Sequence, residues 1–76
     1  MPVYIVMPEE MHGGTLVRWL KRVGDPIAKG DLVAEIETDK ASLEVASQYA
    51  GVLAEICASE GTANIQANAP LAVLSE

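Results

Sequence analysis

Phenylalanine is absent from the chain, and Tyr4, Trp19 and Tyr49 are its only aromatic residues. A core built from this sequence must therefore be almost wholly aliphatic. Cys57 is the single cysteine and His12 the single histidine. One cysteine excludes an intrachain disulfide and any CxxC redox or zinc pattern, and one Cys with one His falls short of a protein-built metal site. Bases are scarce: five against eleven acids, for a net charge of −6. That sign is opposite to the footprint of a nucleic-acid binder and is disfavoured at anionic membrane surfaces. No apolar run approaches transmembrane length, and no charged n-region with a long apolar stretch opens the chain. The expected setting is a reducing, cytoplasmic one of bacterial type, with the mitochondrial matrix as the alternative.

What is present suits one small folded domain spanning residues 1–76. Half of the residues are hydrophobic, although so short a chain buries only a modest core. Gly and Pro recur at short intervals and mark turns, at Gly24-Asp25-Pro26, Lys29-Gly30-Asp31 and Glu60-Gly61-Thr62. Between them lie strand-like runs. Val3–Met7 is a β-rich stretch stopped by Pro8, and Leu16, Arg18 and Leu20 alternate with Val17 and Trp19. Leu32, Ala34 and Ile36 alternate with Val33, Glu35 and Glu37, and Leu43 and Val45 with Ser42 and Glu44. Gly51–Cys57 and Leu71–Ser75 complete the set. Alternation at period 2 predicts half-buried strands, and many short strands between turns predict a β-sandwich or flattened barrel.

The chain also repeats itself. Gly14, Leu16 and Gly24 match Gly51, Leu53 and Gly61, at an offset of 37. Ile27–Gly30 then aligns with Ile65–Asn68, and Val33–Ile36 with Leu71–Leu74, at an offset of 38. Asn68 stands where the first half has Gly30, which predicts a left-handed turn at both, since Asn tolerates that conformation better than most residues. Val3–Met7 and Ala41–Val45 precede the two halves in equivalent places. Two similar all-β halves imply approximate two-fold symmetry, and Thr38-Asp39-Lys40 is then the hairpin that joins them.

No catalytic constellation emerges. Ser42, Ser47, Ser59 and Ser75 lack a nucleophile-elbow context, and His12 has no nucleophile near it in sequence. Glu35 and Glu37 share a strand face and read as a solvated edge. The segment His12-Gly13-Gly14 is not followed by a helix that would supply a dipole to a phosphate. Cys57 reads as a small hydrophobe. Lys40, at the joining turn, is by position an ordinary protonated turn lysine, which becomes useful only if an external enzyme acylates it.

The segment Glu37-Thr38-Asp39-Lys40-Ala41 resembles the lipoylation motif of 2-oxo acid dehydrogenase complexes. The resemblance continues through Met7-Pro8, Gly14–Trp19, Val23-Gly24-Asp25, Ile27–Asp31, Gly51-Val52-Leu53, Glu60-Gly61 and Pro70-Leu71, nearly the whole chain. It is similar to the lipoyl domain of dihydrolipoamide acyltransferase components, within the biotinyl/lipoyl carrier family. This implies an all-β fold, a flattened β-barrel of two four-stranded antiparallel sheets with quasi-two-fold symmetry. It implies lipoate in amide linkage on Lys40, with Asp39 and Ala41 as the flanks that the attaching enzyme reads. It implies a carrier, monomeric as an isolated domain and with no catalytic residues of its own. The partners it implies are a lipoate ligase or lipoyl transferase, a thiamin-diphosphate-dependent decarboxylase, an acyltransferase core and a dihydrolipoamide dehydrogenase. Glu9, Glu10, Met11, His12 and Gly13, with Glu37 and Thr38, are then the residues expected to meet the decarboxylase. That loop is shorter here than is usual in the family, which leaves the identity of the decarboxylase open. Ala41 after the lysine is more like pyruvate- or acetoin-type domains. Two alternatives remain: a biotinyl carrier, whose lysine is usually flanked by methionines rather than Asp39 and Ala41, and an unmodified docking module. The chain stops just after the last strand without an Ala/Pro-rich linker, as an excised domain would.

Overall fold

The computed structural model describes residues 3–75. Seven strands and one short helical turn follow each other: β1 (Val3–Val6), a 3₁₀ turn (Glu9–Met11), β2 (Thr15–Trp19), β3 (Pro26–Ile27), β4 (Leu32–Glu37), β5 (Ser42–Ala46), β6 (Gly51–Ile56) and β7 (Pro70–Ser75). They form two antiparallel sheets, one in the order β1-β7-β6-β3 and one in the order β2-β4-β5. The body measures 34 × 19 × 19 Å. Between the sheets lies an aliphatic core that includes Leu16, Val33, Ile36, Val45, Leu53, Leu71 and Leu74, with Met7 and Met11 filling its end. Trp19 packs half-buried against this core, and its indole Nε1 donates to the Ala58 carbonyl at 2.8 Å. The ring thus buries apolar area without leaving its N–H unpaired.

The repeat in sequence is a repeat in hydrogen bonding. Gly24 N–H donates to Leu53 O at 2.7 Å, and the equivalent Gly61 N–H donates to Leu16 O at 2.8 Å. Leu20 N–H donates to Val33 O, and Cys57 N–H to Leu71 O, each at 2.8 Å. Each half therefore threads its turn against the strand of the other half, so neither half completes its hydrogen bonding alone. Gly30 and Asn68 are both left-handed, at φ +92° and +68°, as the alignment requires.

Three details depart from the simple reading. First, β1 matches β5 two residues further along than expected. Val3–Met7 and Leu43–Ser47 share one burial pattern, half-buried, exposed, buried, exposed, buried. Met7 N–H bonds Ala69 O at 2.9 Å, as Ser47 N–H bonds Asp31 O at 2.8 Å. Second, the sheet expected to have four strands in the second half has three, and its fourth is reduced to the single bridge Gly14↔Ile65. The counterpart β3 begins with Pro26, whose ring holds φ in the extended range. Asn64 stands at that place before Ile65 with φ +57°, and a left-handed residue cannot prolong a strand. Third, strict alternation fails where the register slips at Leu16/Arg18, Leu32/Ala34 and Leu53/Glu55. A bulge inserts one residue and exchanges the faces beyond it. Val33 and Ala34 are consequently both buried, while Leu32, which alternation puts on the face of Ala34 and Ile36, is 43% exposed.

Candidate functional site

The β4–β5 hairpin ends in the shortest connection of its sheet. Glu37 pairs with Ser42 across the ladder, and Thr38 N–H donates to Ala41 O at 2.8 Å. Only Asp39 and Lys40 lie beyond that closure. Two-residue hairpin loops favour the primed turns, which need φ > 0 and therefore Gly or Asn. Asp39 and Lys40 are neither, and both keep negative φ; among the described residues only Asn64 and Asn68 are non-glycine residues with positive φ.

Thr38 compensates. Its Oγ1 accepts from Lys40 N–H at 3.2 Å and from Ala41 N–H at 3.1 Å, and donates to Ala41 O at 3.0 Å. One hydroxyl has one proton and two lone pairs, so its whole capacity is spent on the turn. Thr38, expected at a partner contact, thus directs its polar atom inward to the tip backbone. Asp39, Lys40 and Ala41 are exposed. Among the described residues, the Lys40 ammonium takes part in no ion pair, the one salt bridge being Arg18 Nε to Glu35 Oε1 at 2.9 Å. A prosthetic acid joined by an amide needs such an amine: projecting, unpaired and on a short rigid support. The residues present fit that requirement for lipoate or biotin.

The loop from Glu9 to Gly13 leads into Gly14, which lies beside the base of this hairpin. A methyl group placed on Gly14 would sit 2.9 Å from the Met11 carbonyl oxygen and 3.1 Å from that of Glu37, the last residue of β4. Glu9 and Glu10 are exposed on the 3₁₀ turn. Met11 is not available to a partner: it is 6% exposed and belongs to the core. His12 is exposed, yet its Nδ1 accepts from Ala67 N–H at 2.8 Å. Gly13 takes φ +83°, and its N–H donates to Ile65 O at 2.7 Å. The loop is therefore held down on the other half of the molecule. His12, expected with its loop at a partner contact, is thus tied by its ring to the other half, and nothing local in sequence links it to Ala67.

Acidic groups surround the hairpin. Glu35 sits between Arg18 on β2 and Glu44 on β5 in the ladder. The like pair Glu35–Glu44 is unfavourable, and the ion pair with Arg18 offsets it. Glu37 and Asp39 lie close to Lys40 in the chain, and among the described residues neither takes part in an ion pair. Elsewhere, Cys57 is exposed, and partial burial followed by the neighbouring Glu55 carboxylate pushes its thiol up from the ordinary value. Among the described residues no group of three or more His, Cys, Asp or Glu side chains is placed to hold a metal ion.

Comparison with known proteins agrees with this geometry. Residues 5–74 match the biotin/lipoyl family model described as "Biotin-requiring enzyme". The chain is 47% identical over 79 aligned positions to the dihydrolipoyllysine-residue acetyltransferase component of the pyruvate dehydrogenase complex of Rickettsia typhi, covering all of this chain and 20% of that protein. It is 46% identical over 77 positions to the pyruvate dehydrogenase E1 component subunit beta of Rhizobium meliloti, covering 97% of this chain and 17% of that one. The chain thus spans about a fifth or less of the curated relatives it matches. Among solved structures, the lipoyl domain of the 2-oxoglutarate dehydrogenase complex from Azotobacter vinelandii superposes with a TM-score of 0.69 at 32% identity, covering all of this chain and 96% of that domain. With the Lys40 hairpin, the two-fold barrel and relatives of this kind, the chain belongs to the biotinyl/lipoyl carrier family and is a lipoyl domain, a carrier rather than a catalytic unit.

Proposed function

We propose that Lys40 carries lipoate in amide linkage and works as a swinging arm in a 2-oxo acid dehydrogenase complex of pyruvate type. The observation that carries this is the exposed, unpaired ammonium on a two-residue turn closed by Thr38. When bound, lipoate supplies a disulfide that accepts an acyl group together with two electrons. The chain's own residues do the rest. Lys40 supplies the acylated nitrogen, and the amide removes its charge, leaving a long, largely apolar arm. Asp39 and Ala41 present the shape that an attaching enzyme reads. Thr38 keeps the base of the arm fixed. Tethering then raises the concentration of the arm at each active site, to about mM for short flexible links.

The pyruvate type is supported by two relatives of near-equal identity, one named as an acetyltransferase component and one as an E1 subunit beta, both of pyruvate dehydrogenase. Because such a domain occurs in both, the host polypeptide of this one is a separate question from its cargo. The donor is a thiamin-diphosphate-dependent decarboxylase, the acceptor site an acyltransferase core, and reoxidation falls to a dihydrolipoamide dehydrogenase. Exposed Glu9, Glu10, Glu37 and Asp39 favour a decarboxylase with a basic mouth. A cytoplasmic setting fits the free, exposed Cys57.

Reconstitution with a purified pyruvate decarboxylase component tests this. The lipoylated wild type should be acylated from pyruvate and the Lys40→Arg variant should not. Equal transfer by both would leave only the docking-module reading. Acylation from 2-oxoglutarate but not pyruvate would overturn the choice of substrate.

A further inference from the structure

The tip carries a conflict that its chemistry imposes. A two-residue hairpin loop favours Asn-Gly or a similar pair with φ > 0. A carrier lysine cannot be replaced by Gly, and long side chains adopt positive φ at a cost. Asp39 and Lys40 accordingly stay at negative φ, a geometry whose twist matches a hairpin poorly. In a plain two-residue turn the N–H of Ala41 would seek the Thr38 carbonyl. Here it donates to Thr38 Oγ1 instead, and Lys40 N–H donates to the same oxygen. The hydroxyl proton returns to the Ala41 carbonyl, which Thr38 N–H also approaches at 2.8 Å.

On the reading that Lys40 is the attachment site, we propose that Thr38 is a positioning residue for Lys40. Its hydroxyl selects the negative-φ turn from which the lysine is presented to the attaching enzyme. A side chain that accepts both N–H groups preserves the turn; one that cannot releases it to a mixture of loop conformers, although both N–H groups then find water. The loss therefore falls on presentation more than on folding, because the tip lies outside the core and is exposed to solvent. Preorganisation of this kind acts on affinity and rate by sparing the ordering that binding would otherwise need.

The test is lipoate attachment to the 76-residue chain by a lipoate ligase with lipoate and ATP, scored by intact mass. Thermal midpoint and the amide NMR signals of Lys40 and Ala41 are recorded alongside. Wild type and Thr38→Ser should be modified at rates within about twofold of each other, and Thr38→Asn, whose side-chain carbonyl can accept both N–H groups, should stay close to them. Thr38→Val, nearly isosteric and unable to bond, should lose about tenfold or more in kcat/KM. Its thermal midpoint should stay near that of wild type, while the Lys40 and Ala41 amides shift or broaden. Thr38→Val modified at the wild-type rate would overturn the proposal. So would Thr38→Asn failing as badly as Thr38→Val with both variants folded. If Thr38→Val does not fold, Thr38→Ala, which also lacks the hydroxyl, takes its place: a loss of about tenfold or more supports the proposal, and modification at the wild-type rate overturns it. Wild type taking no lipoate on Lys40 would instead overturn the attachment site itself, a separate failure.

Discussion

Gly30 and Asn68 occupy equivalent turns in the two halves, at φ +92° and +68°, each with its N–H bonded to the strand of the partner half, on Ser47 O and Met7 O at 2.8 Å. One position uses the residue that adopts this conformation freely, the other the residue that tolerates it best. Asn68→Gly should therefore change stability by less than about 0.5 kcal/mol, whereas Asn68→Val should cost about 1–2 kcal/mol, since β-branched side chains resist the left-handed region. Urea denaturation of the two variants checks this.

Gly14 and Gly51 are equivalent for a different reason, which is space. A Cβ on Gly14 would lie 2.6 Å from Ile36 Cγ2, and one on Gly51 2.7 Å from the Ser75 carbonyl oxygen. Both Ala substitutions should destabilise by about 1–3 kcal/mol, the range of overpacked sites. Only Gly14→Ala should also disturb the tip, because its Cβ presses on the Glu37 carbonyl next to Thr38. Denaturation midpoints, together with the amide shift of Lys40, would separate the two effects.

The Arg18–Glu35 ion pair is short but largely solvated, with Arg18 62% exposed. Arg18→Ala should cost less than about 1 kcal/mol, as exposed pairs generally do. The cost should fall further when Glu44 is replaced by Gln, because Arg18 then no longer offsets the Glu35–Glu44 repulsion. A double-mutant cycle measures that coupling.

The thiol of Cys57 is raised by partial burial and by Glu55. Less of it is thiolate at neutral pH than in an ordinary cysteine, so alkylation by iodoacetamide should be slower than for a free peptide thiol. The rate should climb as pH rises past the usual thiol range, and Glu55→Gln should shift that climb to lower pH. Rates measured between neutral and mildly alkaline pH check both the sign and the contribution of Glu55.

The repeat was legible because its markers are local. Gly24 and Gly61, and Gly30 and Asn68, announce turns by residue type, and the spacing between them carries over to equivalent hydrogen bonds. The joining hairpin followed from the repeat, and the resemblance of Glu37–Ala41 gave Lys40 its chemistry. The bulges were not legible. Whether Val33 or Leu32 turns inward depends on how Ala46 and Val45 pair with β4, and a period-2 count along one strand contains nothing about its neighbour. The clip from Ala67 N–H to His12 Nδ1 spans 55 residues and leaves no sequence signature. Met11 was expected at a partner surface because it lies in the loop; its apolar side chain instead completes the core at that end. Thr38 was noticed as a neighbour of the lysine, but its role depends on three hydrogen bonds at the tip that only the backbone geometry reveals.

The carrier role rests on Lys40. Three lysines are present, Lys21, Lys29 and Lys40, and only Lys40 lies in the hairpin, so the direct measurement is peptide mapping by mass spectrometry after exposure to a lipoate ligase and, separately, to a biotin ligase. A lipoyl adduct is expected on the peptide containing Lys40 and on no other, with no biotin adduct. A biotin adduct at Lys40, or lipoate found on Lys21 or Lys29 in its place, would contradict lipoate carriage by Lys40.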